Sequence, residues 1–314
     1  MREREVLERI RAIFDATPMS ARAAEKVIVG NGDDGAVLQL SEQTVLSTDM
    51  AVEGVHFHTS WSSPEEIGRK ITVANLADIC AMGGWPEFLL VTVAFPSDYL
   101  HLLEKLAEGI ALEAEKVGAR VIGGDLSQGK ELVISMTAIG RTTRPIPRSG
   151  ARIGDGVVLS HLPGKSAAGL SLLSERREID NEMKEHCVKS HCAPTVDYQK
   201  YKDAFAFLNS ATDISDGLIV DASHIASASG VAFEIDSSTL IAHPDFQLLL
   251  QACENKEEAL ERVLTGGEDH VLLGTTSSPT ELPGFIHIGR VIAGNGIFVD
   301  GKKRNEESGY HHTW

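Results

Sequence analysis

The sequence predicts an α/β protein built from two domains, and three observations carry that prediction. At 314 residues with 42% hydrophobic content, the chain can fill two ordinary cores. Both halves alternate short strand-like apolar runs with stretches at helical spacing. Between the halves, RPIPRSGARIGDG at 144–156 concentrates proline, glycine and arginine, the composition of a domain boundary. The domains are therefore set at 1–145 and 146–314.

The elements follow in order. MREREVLERIRAIF mixes charges with Val6, Leu7, Ile10, Ile13 and Phe14, the pattern of an amphipathic helix and not of a signal peptide. Residues 35–40 and 43–48 read as short strands. In SSPEE, Ser63 is a candidate helix cap with Pro64 in the first turn and acids behind it, and the helix should reach Ala81. EFLLVTVAF at 87–95 reads as a buried strand, and Leu100, Leu103, Leu106, Ile110 and Ala114 place a helix over 97–117. Strands at 119–123 and 131–140 are expected to flank a loop, GGDLSQGK. Beyond the boundary come a strand at DGVVLS, a helix at KSAAGLSLLS, a polar stretch over 175–197, helices at 198–208 and 217–229, and the strand VAFEID. An acidic helix near 256–264, the strand VLLGTT and glycine-bounded strands near 285–299 complete a second α/β domain.

Charge and cysteine usage narrow the function. With 45 acidic residues against 29 Lys plus Arg, the formal charge of -16 argues against a nucleic-acid surface. Cys80, Cys187, Cys192 and Cys253 form no CxxC pair, which fits a reducing cytoplasm. No run is long and apolar enough to suggest membrane insertion. HCVKSHC at 186–192 gathers potential soft ligands without zinc-motif spacing, and reads as solvated helix and turn. There is no GxSxG elbow, and no residue reads as a covalent nucleophile.

Acidic residues instead recur at turns and element ends. Asp33 and Asp34 in VGNGDDGAVL fit either a polar hairpin turn or a cation site. Asp49 ends a predicted strand, with Ser47 and Thr48 beside it and His56 downstream; oxygen donors so placed suit Mg²⁺, and a turn role stays open. Asp78 follows Ile67, Ile71 and Ala74 on the inward stripe of its helix, where a carboxylate needs a salt link or a metal. Gly123 and Gly124 before Asp125 would allow close approach of a phosphate or hydrated metal, although the GK[ST] ending of a P-loop is missing. ATDISDGL sets Asp213, Ser215 and Asp216 before a helix, for capping or for phosphate and metal work, and LTGGEDHVLL adds Glu268, Asp269 and His270. Arg141, Arg144, Arg148 and Arg152 cluster at the boundary, and Arg148 is the candidate phosphate grip.

Taken in register, GDDGAV, STDMAVEGVHF, NLADICAMGG, GGDLSQG, ISDGL and GGEDH resemble the thiamine-monophosphate kinase family of the aminoimidazole-ribonucleotide synthetase-like ATP-binding superfamily, along nearly the whole chain. The resemblance implies a homodimer whose N-terminal mixed sheets pair across the interface, with a C-terminal α/β domain completing each site. It implies phosphoryl transfer from ATP to thiamine monophosphate. By match to the family's motifs, Asp34, Asp49, Asp78, Asp125, Asp213 and Asp216, with oxygens of Ser47 and Thr48, would hold several Mg²⁺ ions. Gly124, Asp125, Arg148 and Ser215 would handle ATP, and His56, Glu268 and the aromatic Tyr310 would meet the thiamine substrate. The chain departs from the family pattern at Asn31, Leu126, Gln128, Asp197 and His270, where Ile, Thr, a basic residue, Arg and Tyr are commoner. A different acceptor within the superfamily, or a non-catalytic nucleotide-binding paralogue, are the alternatives.

Overall fold

The computed structural model describes residues 3–31 and 36–304, and the side chains from residue 8 onward within them. Asp34 and Tyr310 lie outside the described residues, as does Asp33. The chain divides into two compact units, Met1–Pro145 and Ile146–Trp314.

The N-terminal unit runs α1 (Glu3–Ala16), α2 (Ala21–Ala24), β1 (Val27–Val29), β2 (Val37–Leu38), β3 (Gln43–Val52), α3 (Pro64–Ala81), β4 (Trp85–Phe95), α4 (Leu103–Glu115), β5 (Arg120–Gln128) and β6 (Val133–Thr142). β1 and β2 form a short antiparallel ribbon. The remaining strands build one sheet in the order β3-β6-β4-β5. Only the β4–β5 pair is parallel. α3 begins as its sequence requires: Ser63 accepts the Glu66 N–H while the Glu66 carboxylate accepts the Ser63 N–H, and Pro64 occupies the first turn. Its apolar face packs on α4 and the sheet.

Three expectations change here. The helix over 97–117 opens instead as a 3-10 segment, Ser97–Leu102, before α4 begins. Most of GGDLSQGK is strand, because β5 continues to Gln128 with Gly124 opposite Val91 and Asp125 opposite Thr92. Gly124 is needed at that crossing, since a Cβ there would overlap the Val91 carbonyl oxygen. Asp49 lies inside β3 and not at its end, because the strand stays paired with β6 until Val52 meets Val133.

The C-terminal unit runs β7 (Gly156–Leu159), α5 (Lys165–Ser174), α6 (Glu182–Cys192), α7 (Tyr198–Ala204), β8 (Ser210–Ile214), α8 (Leu218–Ser229), β9 (Ala232–Ile235), α9 (Ser237–Ala242), α10 (Pro244–Leu249), α11 (Lys256–Thr265), β10 (Val271–Thr276), β11 (Ile286–Ile292), β12 (Gly296–Val299) and β13 (Lys302–Lys303). Its seven-stranded sheet has the order β13-β12-β9-β11-β7-β10-β8. It is mixed, with β12 parallel to β9. Phe233, Phe246, Leu273 and Ile288 belong to one apolar core beneath the helices. The tract at 186–192 is solvated on one side only: His186 and Lys189 are exposed, whereas Cys187, His191 and Cys192 share the buried face of α6, which packs on α5. Among the described residues, no helix is long and apolar enough to cross a membrane.

Candidate active site

In the N-terminal unit, strand alternation sorts the expected ligands. Ser47 on β3 donates its hydroxyl to the Asp78 carboxylate of α3, joining two residues 31 positions apart. Asp49 shares the Ser47 face of the strand by the two-residue period. Thr48 points the other way: its hydroxyl donates to the Met136 carbonyl at 2.9 Å and accepts from Thr137 at 3.1 Å. The Thr48 side chain is thus separated from Ser47 and Asp78. In the loop after β3, His56 accepts the Val52 N–H on Nδ1 at 3.1 Å, which leaves the proton of a neutral imidazole on Nε2.

Asp125 stands on β5, exposed, with the Ser127 hydroxyl donating to it at 3.1 Å. It lines a cavity of about 500 Å³ together with Gly124, Asn31, Phe14, Val93 and Ile110. Asn31 is fixed at that wall, because its amide donates to the Asp15 carboxylate and to the Val121 carbonyl, each at 3.0 Å. A largely apolar hollow with a few polar groups in its lining is the usual form of a small-molecule site.

In the C-terminal unit, β8 delivers Asp213 into a buried position, and the chain then turns through Ser215 and Asp216 into α8. Asp213 Oδ2 accepts the Ser215 hydroxyl at 2.8 Å and lies 3.0 Å from His270 Nδ1. Asp221, in the first turn of α8, accepts the backbone N–H groups of Ser215, Asp216 and Gly217 at 3.0, 3.0 and 3.1 Å. Burial, reinforced by the neighbouring Asp213 and Asp216, pushes its carboxyl up to about 7. The facing loop, 266–270, carries two residues with left-handed backbone, Glu268 at φ 61° and His270 at φ 50°. Such a conformation costs on the order of 1–3 kcal/mol per non-glycine residue and persists only where neighbours over-determine it. Here they do: the Glu268 N–H donates to the Ser215 carbonyl at 2.8 Å and the His270 N–H to the Ile214 carbonyl at 3.0 Å. Asp269 accepts the N–H groups of Gly164 and Ser166 at 2.6 and 3.0 Å. Burial pushes the Asp269 carboxyl up to about 6. Gly267 lets the loop lie against Ser215, since a Cβ there would overlap the Ser215 carbonyl. Arg148 directs Nε and Nη2 to the Thr212 hydroxyl at 3.3 and 3.1 Å, so its guanidinium is oriented by β8.

A family model described as AIR synthase related protein, N-terminal domain, matches residues 32–142. Thiamine-monophosphate kinase of Aquifex aeolicus is 36% identical over 305 residues, covering 95% of this chain and 97% of that protein. The chain belongs to the thiamine-monophosphate kinase family. The crystal structure of thiamine-monophosphate kinase from Stenotrophomonas maltophilia K279a superposes with a TM-score of 0.81 at 29% identity, over 95% of this chain and 96% of that one. AaThiL complexed with AMPPCP and TMP superposes with a TM-score of 0.78 at 33% identity, over 97% and 96% of the two chains.

As a member of the thiamine-monophosphate kinase family, the chain presents hard oxygen donors in small sets. Ser47 and Asp78 form one set, and Asp213, Ser215, Asp216 and Asp221 crowd a second. Among the described residues, no three His, Cys, Asp or Glu side chains are grouped to hold a metal by themselves. Hard oxygen donors are the kind Mg²⁺ takes, its shell completed by water and substrate phosphate. The donor chemistry fits the ion the family resemblance implies. Sequence reading missed Asp221 and the partners of the 266–270 loop. An acid in the first turn of a helix reads as an ordinary dipole-favouring residue, and nothing in the local pattern distinguishes Asp221 from one.

Proposed function

We propose that this chain transfers the γ-phosphoryl group of ATP to thiamine monophosphate, giving ADP and thiamine diphosphate, by direct in-line displacement. The observation that carries the reading is kinship with thiamine-monophosphate kinase over 95% of the chain. The likeness to a structure complexed with AMPPCP and TMP supports it. No residue is assigned as nucleophile or general base. The acceptor oxygen of a phosphate monoester is already anionic, and phosphoryl transfer depends on alignment and charge neutralisation.

Gly124, Asp125, Arg148 and Ser215 are assigned to ATP, with the cavity beside Gly124 taking the nucleoside. Arg148, braced by Thr212, keeps donors for a phosphate oxygen. His56 and Glu268 are assigned to the thiamine substrate, as is Tyr310 beyond the described residues. Asp34, Ser47, Thr48, Asp49, Asp78, Asp125, Asp213 and Asp216 would hold the Mg²⁺ ions, Thr48 from the face of the sheet opposite Ser47. Bound there, the ions would neutralise the charge of the phosphate oxygens. The protein acts in the cytoplasm as a homodimer joined through the N-terminal sheets, a pairing that exposed Leu46 and Met50 on β3 support.

The test incubates purified protein with ATP, Mg²⁺ and thiamine monophosphate and quantifies ADP and thiamine diphosphate by chromatography, with free thiamine and metal-free reactions as controls. Equal, metal-dependent formation of both products is expected. Folded protein that yields neither product would move the reading to another acceptor or to a non-catalytic nucleotide-binding role.

A further inference from the structure

The HCVKSHC tract is the one singled-out motif that the proposed reaction leaves unused. Cys187 is part of the apolar core, and burial pushes its thiol up to about 12. His191, one turn later on α6 and 4% exposed, faces a different neighbourhood. Its Nδ1 lies 3.2 Å from the Ser166 hydroxyl and 3.4 Å from Glu268 Oε2. Ser166 belongs to the first turn of α5, and its backbone N–H is one of the two that hold Asp269.

The residues flanking Glu268 are therefore anchored from three sides. Ser215 takes its N–H, α5 takes the carboxylate of the next residue, and Ile214 takes the N–H of the one after. Backbone anchors alone fix where the Glu268 side chain starts, not where it ends. A flexible carboxylate with 31% of its side chain exposed needs a further contact to choose one orientation. His191 Nδ1, 3.4 Å from Oε2, is placed to supply such a contact. We infer that His191 is a positioning residue for the proposed reaction: its Nδ1–H donates to the Glu268 carboxylate, shared with the Ser166 oxygen, and aims that carboxylate at the thiamine substrate. A neutral imidazole with its proton on Nδ1 suffices, so no change of charge is involved. The inference rests on the assignment of Glu268 to that substrate.

Two amides separate position from bulk. In His191→Asn the side-chain N–H stands close to where Nδ1 stands, whereas His191→Gln carries it outward to where Nε2 stands. His191→Gln should raise KM for thiamine monophosphate about tenfold while KM for ATP and the melting temperature change little, and His191→Asn should stay within about twofold of the native value. Glu268→Gln should raise the same KM, and the double variant Glu268→Gln/His191→Gln should be no worse than Glu268→Gln alone. A native KM in His191→Gln, when Glu268→Gln is impaired, overturns the positioning role and leaves the assignment of Glu268 standing. A native KM in Glu268→Gln removes that assignment and the inference with it. Equal losses in kcat and in both KM values for the Asn and Gln variants would mean that His191 only packs. Should His191→Gln not fold, Ser166→Ala replaces it: with the hydroxyl gone, Nδ1–H serves Glu268 alone, so KM stays native or falls, and a tenfold rise overturns the inference.

Discussion

At the scale of single residues, charge and burial make different demands that can be measured apart. Asp49 and Asp125 are proposed to act through their charge, so an isosteric amide should remove function and spare the fold. Asp49→Asn and Asp125→Asn should each lower turnover by roughly 100-fold, the scale for losing one charge-stabilising group, with melting temperatures close to native. Native turnover in either variant would sink that residue's assignment. His161 poses the opposite case. Burial, with Lys165 and Lys200 nearby, lowers its pKa from 6.5 to about 4, so the fold holds a neutral imidazole. The unfolded chain binds a proton near pH 6.5 and the folded chain does not until about pH 4. The depressed group thus contributes stability above pH 6.5 that is lost as pH falls toward 4, by roughly 3 kcal/mol in all. His161→Gln should blunt this acid sensitivity in denaturant titrations at pH 7, 5.5 and 4. An unchanged pH slope in the variant would show that other groups set it.

At the scale of elements, the helices with strong local signals were legible and the contacts that cross the sequence were not. Ser63, Pro64 and Glu66 announce α3 by themselves, and the structure uses all three. β5 could not be read past Gly123, because GGDLSQ has turn composition and becomes strand only through β4 alongside it. α9 and α10, six residues each, escaped because so short a helix rests on side-chain caps from Asp236 and His243 and on the core residue Phe246, not on periodicity. α6 reads as solvated in sequence because its mean polarity hides one buried face. The start of α5 shows how far such non-local dependence goes. Gly164 is left-handed there, and no residue of the helix itself caps it. The cap comes from Asp269, more than 100 residues downstream, which accepts two backbone N–H groups. Asp269→Ala would leave both buried donors without a partner and should cost about 2–3 kcal/mol, read as a lower midpoint in urea. A loss below about 0.5 kcal/mol would mean that water replaces the carboxylate at the α5 terminus.

At the scale of the whole molecule, the six motifs that mark the family were legible because each keeps its residues together in the chain, whereas their assembly depends on sheet order. Asp49 lies opposite Met136, Met136 opposite Val91, and Val91 opposite Gly124, so one row runs from β3 at one edge to β5 at the other. At about 4.8 Å per strand, that row sets the neighbourhood of Asp125 roughly 14 Å from Asp49. A single copy of the sheet cannot gather both at one metal. A second copy laid on the same sheet can bring its own edge to the first, and the face of β3 available for that carries two large apolar side chains on either side of Thr48: Leu46 and Met50 are 64% and 56% exposed in the single chain. Exposed large side chains grouped on an edge strand are a liability unless a partner covers them. The double variant Leu46→Lys/Met50→Glu places a charge at each point and should leave the internal packing untouched, since neither side chain is in the core. It should sediment as a monomer with a native circular dichroism spectrum, and should lose thiamine diphosphate formation along with dimerisation. A dimer that survives both charges would show that the chains join elsewhere, and a monomer with native turnover would show that one copy completes the site unaided.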